Sequence, residues 1–257
     1  MGICQFGGTA IDDGVHTRDM EPDAFTTTDG RSVTAVTAAE MRAVDRVAVE
    51  EFGVALLQMM ENAGRTLAWH VRDVAKGPVT VLAGSGGNGG GGLCAARHLA
   101  NRDVPVSVVL DRDPDDLAGA ARTQYETLAA MDVPVEAGVD ALSQRDPETV
   151  VDALVGYGLD GPLRGTAATL VEELASIDTS VVSLDVPSGL NATTGERAGA
   201  AVHPDRALTL ALPKTGLIAV TADLLLADIA FPAGVYESLD VPYASPFTDE
   251  YWTRLAR

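Results

Sequence analysis

Acidic and hydroxyl side chains follow several apolar stretches of this 257-residue chain, at positions where the chain turns. Asp152 lies within one such stretch, ahead of a glycine-containing loop, and Asp185 ends another, ahead of Pro187 and Ser188. A buried carboxylate is unfavourable unless it is paired or holds a cation, so both aspartates are candidates for chemistry. Alternatively, Asp152 caps a helix or turn, and Asp185 makes an Asx-turn to the backbone of Ser188. Together with Asn88, the side chains of Asp152 and Ser188 offer the oxygen ligands that hard cations prefer.

Lys214 is one of only two lysines in the chain and follows a further apolar stretch, Ala207 to Leu212. This side chain can orient a substrate or pair with a carboxylate, and the sequence leaves both roles open. No Gly-x-Ser-x-Gly motif occurs, and neither Ser85 nor Ser188 has an obvious histidine partner. Triad hydrolysis is therefore not indicated.

Seven of the nine residues from Gly84 to Gly92 are glycine. Such a loop between a strand and a helix lets the backbone approach an anion, which the helix N-terminus attracts. We therefore predict that it cradles a phosphate-bearing, nucleotide-like ligand. The loop also contains the Gly-x-Gly-x-x-Gly fingerprint of dehydrogenases, and Asp111 ends the next predicted strand, so hydride transfer is a rival function. No Walker lysine follows the loop, which disfavours a P-loop phosphotransferase.

The net charge of the chain limits the classes of binding partner that we expect. The net charge is −19, from 37 acidic and 18 basic residues, which disfavours binding to nucleic acid and to anionic lipid. The acidic residues are spread along the whole chain, as expected for a protein from an organism with a salt-rich cytoplasm. No apolar run is long enough to span a bilayer and no signal peptide is recognisable, so we expect a cytoplasmic protein.

The pattern of elements predicts the fold. Residues 1–36 lack sustained periodicity and are interpreted as a flexible extension, and residues 37–257 as a single domain. Thr37 and Glu40 have the spacing of a helix capping box. A second helix follows Gly53, and its predicted buried face consists of Leu56, Met60, Ala63, Leu67 and Val71. Helical stretches then alternate with five predicted strands: Val79–Ala83, Val104–Leu110, Val150–Val155, Val181–Val186 and Ala207–Leu212. This alternation predicts a Rossmann-like, doubly wound α/β fold with a mostly parallel sheet and helices on both faces.

Several motifs occur in an order that resembles the NAD(P)H-hydrate epimerase family, the YjeF-type N-terminal domain. They are Met60-Glu-Asn-Ala-Gly64, the glycine loop with Leu93 and Ala95-Ala-Arg-His98, Asp152-Ala-Leu-Val-Gly156, Asp185-Val-Pro-Ser-Gly-Leu-Asn191 and Leu212-Pro-Lys-Thr-Gly-Leu217. The resemblance covers roughly residues 37–232. It implies an isomerase of nicotinamide nucleotide repair that interconverts the R and S epimers of NADHX and NADPHX, commonly as a homodimer, with a bound potassium ion.

The resemblance also implies roles for particular residues. Asp185 would contact the substrate, and potassium would be held by Asn88, Asp152 and Ser188. Epimerisation also needs a catalytic acid–base group near the hydroxyl, and our hypothesis is that Asp185 is this group. The remaining substrate contacts would come from two loops: Gly87, Asn88, Gly89, Gly90 and Gly91, and then Gly156, Tyr157, Gly158, Leu159, Asp160, Gly161 and Pro162.

The chain departs from the family pattern in the glycine loop. The family usually has Asn-Asn-Gly-Gly-Asp-Gly where this chain has Gly87-Asn-Gly-Gly-Gly-Gly92, so the family aspartate is Gly91 here. A catalytically silent nucleotide-binding or scaffolding module of the same fold is therefore the main alternative, and an NAD-dependent dehydrogenase is the third. The ADP- or ATP-dependent dehydratase of the same repair pathway would be a separate protein.

Overall fold

The computed structural model describes residues 25–257. Its strands are β1 Phe25–Thr27, β2 Ser32–Val33, β3 Val79–Ala83, β4 Val106–Leu110, β5 Val135–Ala137, β6 Thr149–Ala153, β7 Ser180–Leu184, β8 Arg206–Leu210, β9 Asp223–Ala227 and β10 Trp252–Ala256. Its α-helices are α1 Ala38–Glu50, α2 Leu56–Val74, α3 Gly87–Ala100, α4 Gly119–Ala129, α5 Val139–Ser143, α6 Gly165–Leu174 and α7 Ala233–Glu237, with 3₁₀ turns at Pro114–Asp116 and Thr215–Ala219.

All ten strands form one sheet in the order β2-β1-β10-β9-β8-β7-β6-β3-β4-β5. The seven strands from β9 to β5 in this order are parallel, and β10, β1 and β2 extend the sheet with antiparallel pairs. The chain runs from β3 outward to β4 and β5 and then returns to place β6 on the other side of β3. The strand order therefore reverses between β3 and β6, the position where ligands bind in sheets of this kind.

Helices cover both faces of the sheet, which confirms the predicted three-layer α/β fold. On one face, Leu67 of α2, Leu93 of α3 and Leu128 of α4 pack against alternate residues of the central strands. On the other face, Leu142 of α5 and Leu170 of α6 pack against the residues in between. Both faces are buried because parallel strands of this type are apolar along their whole length.

The helix and strand predictions are confirmed in kind, with end points shifted by up to two residues. The capping box is present at α1: the Thr37 hydroxyl accepts a hydrogen bond from the Glu40 N–H, and Glu40 reaches back to the Thr37 N–H. The predicted buried face of α2 is correct for Met60, Ala63, Leu67 and Val71. It is wrong for its first member, Leu56, which is 47% exposed at the start of the helix.

The first correction concerns the N-terminal region. Residues 25–36 belong to the sheet, because β1 pairs with β10 and β2 pairs with β1, and Phe25 is fully buried. The predicted extension over residues 1–36 therefore does not apply to its last twelve residues, and residues 1–24 lie outside the described part of the chain. β5, β9 and β10 were not predicted, because β5 is short and partly exposed while β9 and β10 lie in the C-terminal part, where no helix–strand alternation marks them.

Candidate active site

A cleft of about 410 Å³ lies beyond the carboxyl ends of β3, β6 and β7, at the reversal of strand order. The loops after these three strands form its floor, and α1 and α2 supply one wall. It is lined by a mixture of apolar, acidic and basic side chains together with glycine backbone. Ligands of doubly wound sheets bind at this position, where the strand order reverses.

The glycine stretch forms the N-terminus of α3 rather than a long loop. Gly86 is the N-cap, and Gly86, Gly87 and Asn88 line the cleft. A Cβ atom built on Gly86 or Gly87 would meet no atom within 4 Å, so open space lies in front of this backbone. The first N–H groups of a helix have no intrahelical partner and carry partial positive charge. This edge of the cleft therefore suits a phosphate group.

The later glycines of the stretch have a packing role. A Cβ on Gly89 would lie 1.7 Å from the Gly84 carbonyl oxygen, and one on Gly92 would lie 2.5 Å from the Cβ of Ala153. The start of α3 therefore lies too close to β3 and β6 to accept larger residues. Gly89, Gly90 and Gly91 are all buried, and of these three only Gly91 lines the cleft. Close packing therefore explains the later glycines, and only the first residues of the stretch leave open space for the predicted ligand.

Asp185 lies directly after β7 with its side chain 4% exposed and forms an ion pair with Lys214. The Lys214 ammonium donates to Oδ1 of Asp185 over 2.5 Å and to the Leu210 carbonyl oxygen over 2.9 Å. The second carboxylate oxygen, Oδ2, accepts the backbone N–H of Tyr157 over 3.0 Å. Asp185 has φ +66°, a left-handed conformation that aspartate tolerates better than most residues. Both charged groups line the cleft, so of the two roles left open for Lys214, pairing with a carboxylate is the one observed.

Gly156 brings the two predicted loops together. A Cβ at this position would lie 2.8 Å from Oδ2 of Asp185 and 3.0 Å from Oδ1 of Asn88. Only glycine lets the loop after β6 pass between these side chains. Tyr157 and Gly158 continue this loop along the cleft wall.

Asp45 of α1 is a cleft residue that the sequence analysis did not single out. The Tyr157 hydroxyl donates a hydrogen bond to Oδ2 of Asp45, and burial raises the pKa of this carboxyl despite that hydrogen bond and the nearby Lys214 charge. Burial and Asp45 likewise raise the pKa of the Tyr157 hydroxyl. The signal was present, because Asp45 falls on the apolar stripe of α1 with Met41, Val44 and Ala48. An acidic residue on such a stripe is unusual unless it has a buried partner.

Asp152 is fully buried near the end of β6 and accepts four hydrogen bonds, all from neutral donors. Oδ1 accepts the Ser188 hydroxyl over 2.5 Å and the Leu154 N–H over 3.4 Å. Oδ2 accepts the Ser183 hydroxyl over 2.7 Å and the Ser188 N–H over 2.9 Å. Burial raises the pKa of Asp152, and none of the basic side chains in residues 25–257 lies within salt-bridge distance.

The surroundings of Asp152 bear on the predicted potassium site. Asp152 is a buried carboxylate without a cationic partner, and the Ser188 hydroxyl bonds both to it and to the Val155 backbone. The amide oxygen of Asn88, Oδ1, lies 3.0 Å from the position that a Cβ on Gly156 would occupy, next to Val155. A buried carboxylate, a hydroxyl and an amide form a donor set that suits a hard cation. The residues therefore fit a potassium ion.

The other predicted positions lie elsewhere. Leu159 packs against the α6 face of the sheet, and Asp160, Gly161 and Pro162 are exposed and do not line the cleft. Asp111 lines the cleft at the end of β4, where Arg112 pairs with it over 2.9 Å.

Comparisons with known proteins agree with this arrangement. The family described as "YjeF-related protein N-terminus" matches residues 56–216, which include α2, the glycine stretch, Asp152, Asp185 and Lys214. The NAD(P)H-hydrate epimerase of Dehalogenimonas lykanthroporepellens is 42% identical over 243 residues, which are 90% of this chain and 96% of that protein. The NAD(P)H-hydrate epimerase of Truepera radiovictrix is 35% identical over 86% of this chain and 100% of its own length.

Longer relatives and a solved structure also match. The bifunctional NAD(P)H-hydrate repair enzyme of Hyperthermus butylicus is 40% identical over 72% of this chain, which corresponds to 35% of that enzyme. Among solved structures, the crystal structure of yeast ynu0 (YNL200c) superposes with a TM-score of 0.76 at 23% identity, covering 86% of this chain and 100% of that one. This likeness supports the fold.

Proposed function

This chain belongs to the YjeF-related family of NAD(P)H-hydrate epimerases, and from that membership we infer that it is an isomerase that interconverts the R and S epimers of hydrated NADH and NADPH. The observation that carries the assignment to a site is the buried Asp185–Lys214 pair, which lines the cleft beside the N-terminus of α3. The cleft thus combines an anion-binding helix end with an acid–base group.

Substrate binding follows from the two ends of the cleft. We propose that phosphate groups lie at Gly86, Gly87 and Asn88, which line the cleft at the start of α3, where a Cβ on either glycine would meet no atom within 4 Å. This local positive potential matters because the chain as a whole carries a net charge of −19 and repels anions. The hydrated nicotinamide ring would then lie along Gly156–Tyr157–Gly158, near Asp185.

The chemistry needs a proton donor, a proton acceptor and negative charge near the ring. The hydroxyl on the carbon beside the ring nitrogen accepts a proton and leaves as water, while the nitrogen lone pair forms an iminium. Water then adds to the opposite face and loses a proton, so no atoms or electrons are gained overall. We propose that Asp185 takes up this proton and stabilises the iminium, because its charge is prearranged by Lys214 and the Tyr157 N–H.

Asp45 is the proposed partner of Asp185. Burial raises its pKa, so it holds a proton more readily than an exposed aspartate does, and its bond to Tyr157 connects it to the loop that holds Asp185. Two carboxyl groups with different environments on one cleft are suited to the roles of acid and base. Asp45 would therefore supply the proton that the leaving hydroxyl takes.

Potassium is proposed as the cofactor, held by Asn88, Asp152 and Ser188. When bound, the ion would offset the buried charge of Asp152 and fix the loop after β6. This supports a positioning role, since Asp152 does not line the cleft. A cytoplasmic location would supply potassium in abundance.

The assembly and the pathway are further parts of the proposal. We propose a homodimer, checked by light scattering at several protein concentrations. The relatives described as bifunctional repair enzymes support a dehydratase acting alongside this isomerase, and chromatography of NADHX incubated with both enzymes would test that.

One alternative has a specific observation in its favour. Gly91 stands where the family usually has aspartate, and this favours a silent nucleotide-binding module. A dehydrogenase gains no such support, because Asp111, the candidate ribose-binding residue, is paired with Arg112.

The deciding experiment measures epimerisation of purified R- and S-NADHX by chromatography, in potassium chloride, with Asp185→Ala as the control. We expect rapid equilibration by the wild type and loss in the variant. Epimers that exchange no faster than in buffer while the ligand still binds would establish the silent module instead.

A further inference from the structure

A second depression, of about 230 Å³, lies among α2, the C-terminal end of α3 and β10. None of its lining residues lines the cleft. It combines arginines with aromatic rings, and we call it the arginine–aromatic depression. Its lining residues are Arg65, Thr66, Ala68, Trp69, Arg72, His98, Arg102, Glu250, Tyr251 and Trp252.

The aromatic side of the depression is unusually open. Trp69 is 50% exposed and Tyr251 is 66% exposed, although large aromatic side chains usually gain by burial. Trp69 and Trp252 lie with ring centroids 5.4 Å apart and planes tilted by 36°. Both tryptophans of the chain therefore stand at this one site. Their exposed faces can stack on a planar ligand.

Three arginines of the depression have no acidic partner among the described residues. Across the described residues 25–257, no carboxylate oxygen lies within salt-bridge distance of Arg65, Arg72 or Arg102. The neighbouring Arg206, by contrast, bonds to carboxylates over 2.9 and 3.1 Å. Acidic residues outnumber basic ones 37 to 18 in this chain, yet three arginines without acidic partners line this one depression.

One of these arginines also lies over an aromatic ring. The guanidinium carbon of Arg65 lies 5.8 Å from the centroid of the Tyr251 ring, within cation–π range. Glu250 is the one carboxylate among the lining residues, and it is exposed at the rim. The depression therefore offers positive charge next to a flat apolar surface.

We propose that the arginine–aromatic depression binds a small aromatic anion of the nucleoside monophosphate class. The base stacks on Trp69 and Tyr251, and the phosphate bonds to the arginines, whose planar donors match phosphate oxygens. Its volume of about 230 Å³, against about 410 Å³ for the cleft, favours a mononucleotide over a dinucleotide. This inference does not depend on the proposed function of the cleft.

Tryptophan fluorescence tests the proposal directly, because the cleft contains no tryptophan and both tryptophans line this depression. The intact protein is titrated with AMP, and separately with adenosine and with inorganic phosphate. We expect saturable quenching by AMP at concentrations below about 1 mM, and weaker effects of adenosine and phosphate. Arg65→Gln and Arg72→Gln should each weaken AMP binding about tenfold.

Two matched variants separate the sites. Arg122→Gln removes an exposed arginine that pairs with Glu126, and Arg112→Gln removes an arginine at the cleft. Both should leave AMP quenching unchanged. The proposal is wrong if AMP gives no saturable quenching, if adenosine binds as tightly as AMP, or if the two control variants weaken binding as much as Arg65→Gln. A tryptophan signal that changes with protein concentration alone would instead show that a second copy covers this face.

Discussion

The cleft and the arginine–aromatic depression differ in the burial and the pairing of their charged side chains. In the cleft, Asp185 and Lys214 are almost fully buried and neutralise each other, and their positions are fixed by backbone hydrogen bonds. In the depression, Arg65 and Arg72 are exposed on a helix and have no acidic partner among the described residues. The cleft can thus act through the placement of a prearranged pair, whereas the depression can act only through charge and stacking. Added salt should weaken ligands of the depression more, because exposed charges are screened.

Asp185→Asn should have the largest effect on activity. It leaves the buried Lys214 ammonium without an acidic partner, as the arginines of the depression are. We expect kcat for epimerisation to fall about 10²–10⁴-fold, the usual contribution of an acid–base group. The measurement is chromatographic exchange of R- and S-NADHX at saturating substrate.

The controls separate catalysis from folding. Asp111→Asn alters a cleft carboxylate that pairs with the half-exposed Arg112, and it should change kcat by less than tenfold. Asp185→Asn combined with Lys214→Met removes the unpaired ammonium, so thermal stability should recover while activity does not. Recovery of activity in the double variant would contradict a catalytic role for Asp185.

Asp152→Ala tests the part of the site that holds the cleft in shape. It removes the acceptor of four hydrogen bonds, although the Ser188 hydroxyl keeps the Val155 carbonyl oxygen as another acceptor. We expect the free energy of unfolding to fall by about 2–4 kcal/mol, measured by urea denaturation in potassium chloride. Stabilisation by potassium over sodium should also disappear. An unchanged preference for potassium in this variant would show that the ion binds elsewhere.

Much of the fold and part of the cleft could be predicted because their information is local. Asp152 and Asp185 each lie in a short segment in which an apolar strand runs into a turn, and parallel strands bring such segments to one edge. Asp45 was missed because its role depends on contact between α1 and a loop 112 residues away. The depression was missed for the same reason: it joins α2, α3 and β10, and no motif spans them.

His70 provides a test of the wall behind the depression. Its ring packs edge-on against Trp69 and Trp252, and burial lowers its pKa from 6.5 to about 4. The folded state therefore keeps His70 neutral while the unfolded state takes up a proton as the pH falls from about 6.5. The free energy of unfolding should fall across this window by at most about 3 kcal/mol and level off below about pH 4.

The variant His70→Phe isolates this contribution from the many carboxylates of the chain. Urea denaturation at pH 7 and pH 4.5, in high potassium chloride, should show a smaller pH-dependent loss for the variant than for the wild type. His203→Phe, at an exposed position, is the matched control and should retain the wild-type loss. An equal loss in all three proteins would mean that His70 titrates normally in the folded state.

Gly91→Asp has the smallest expected effect and separates the two explanations of the glycine stretch. Position 91 lines the cleft, and a Cβ there would lie 2.8 Å from Cδ2 of Leu184, a side chain that can move. Replacing glycine by aspartate gains only about a few tenths of a kcal/mol in helix propensity, which partly offsets the shift of Leu184. We expect stability within about 1 kcal/mol of wild type and kcat within tenfold, because Asp185 is already in place. A gain in kcat of a hundredfold would show instead that the natural chain lacks its catalytic carboxylate, and that Gly91 marks it as a nucleotide-binding module.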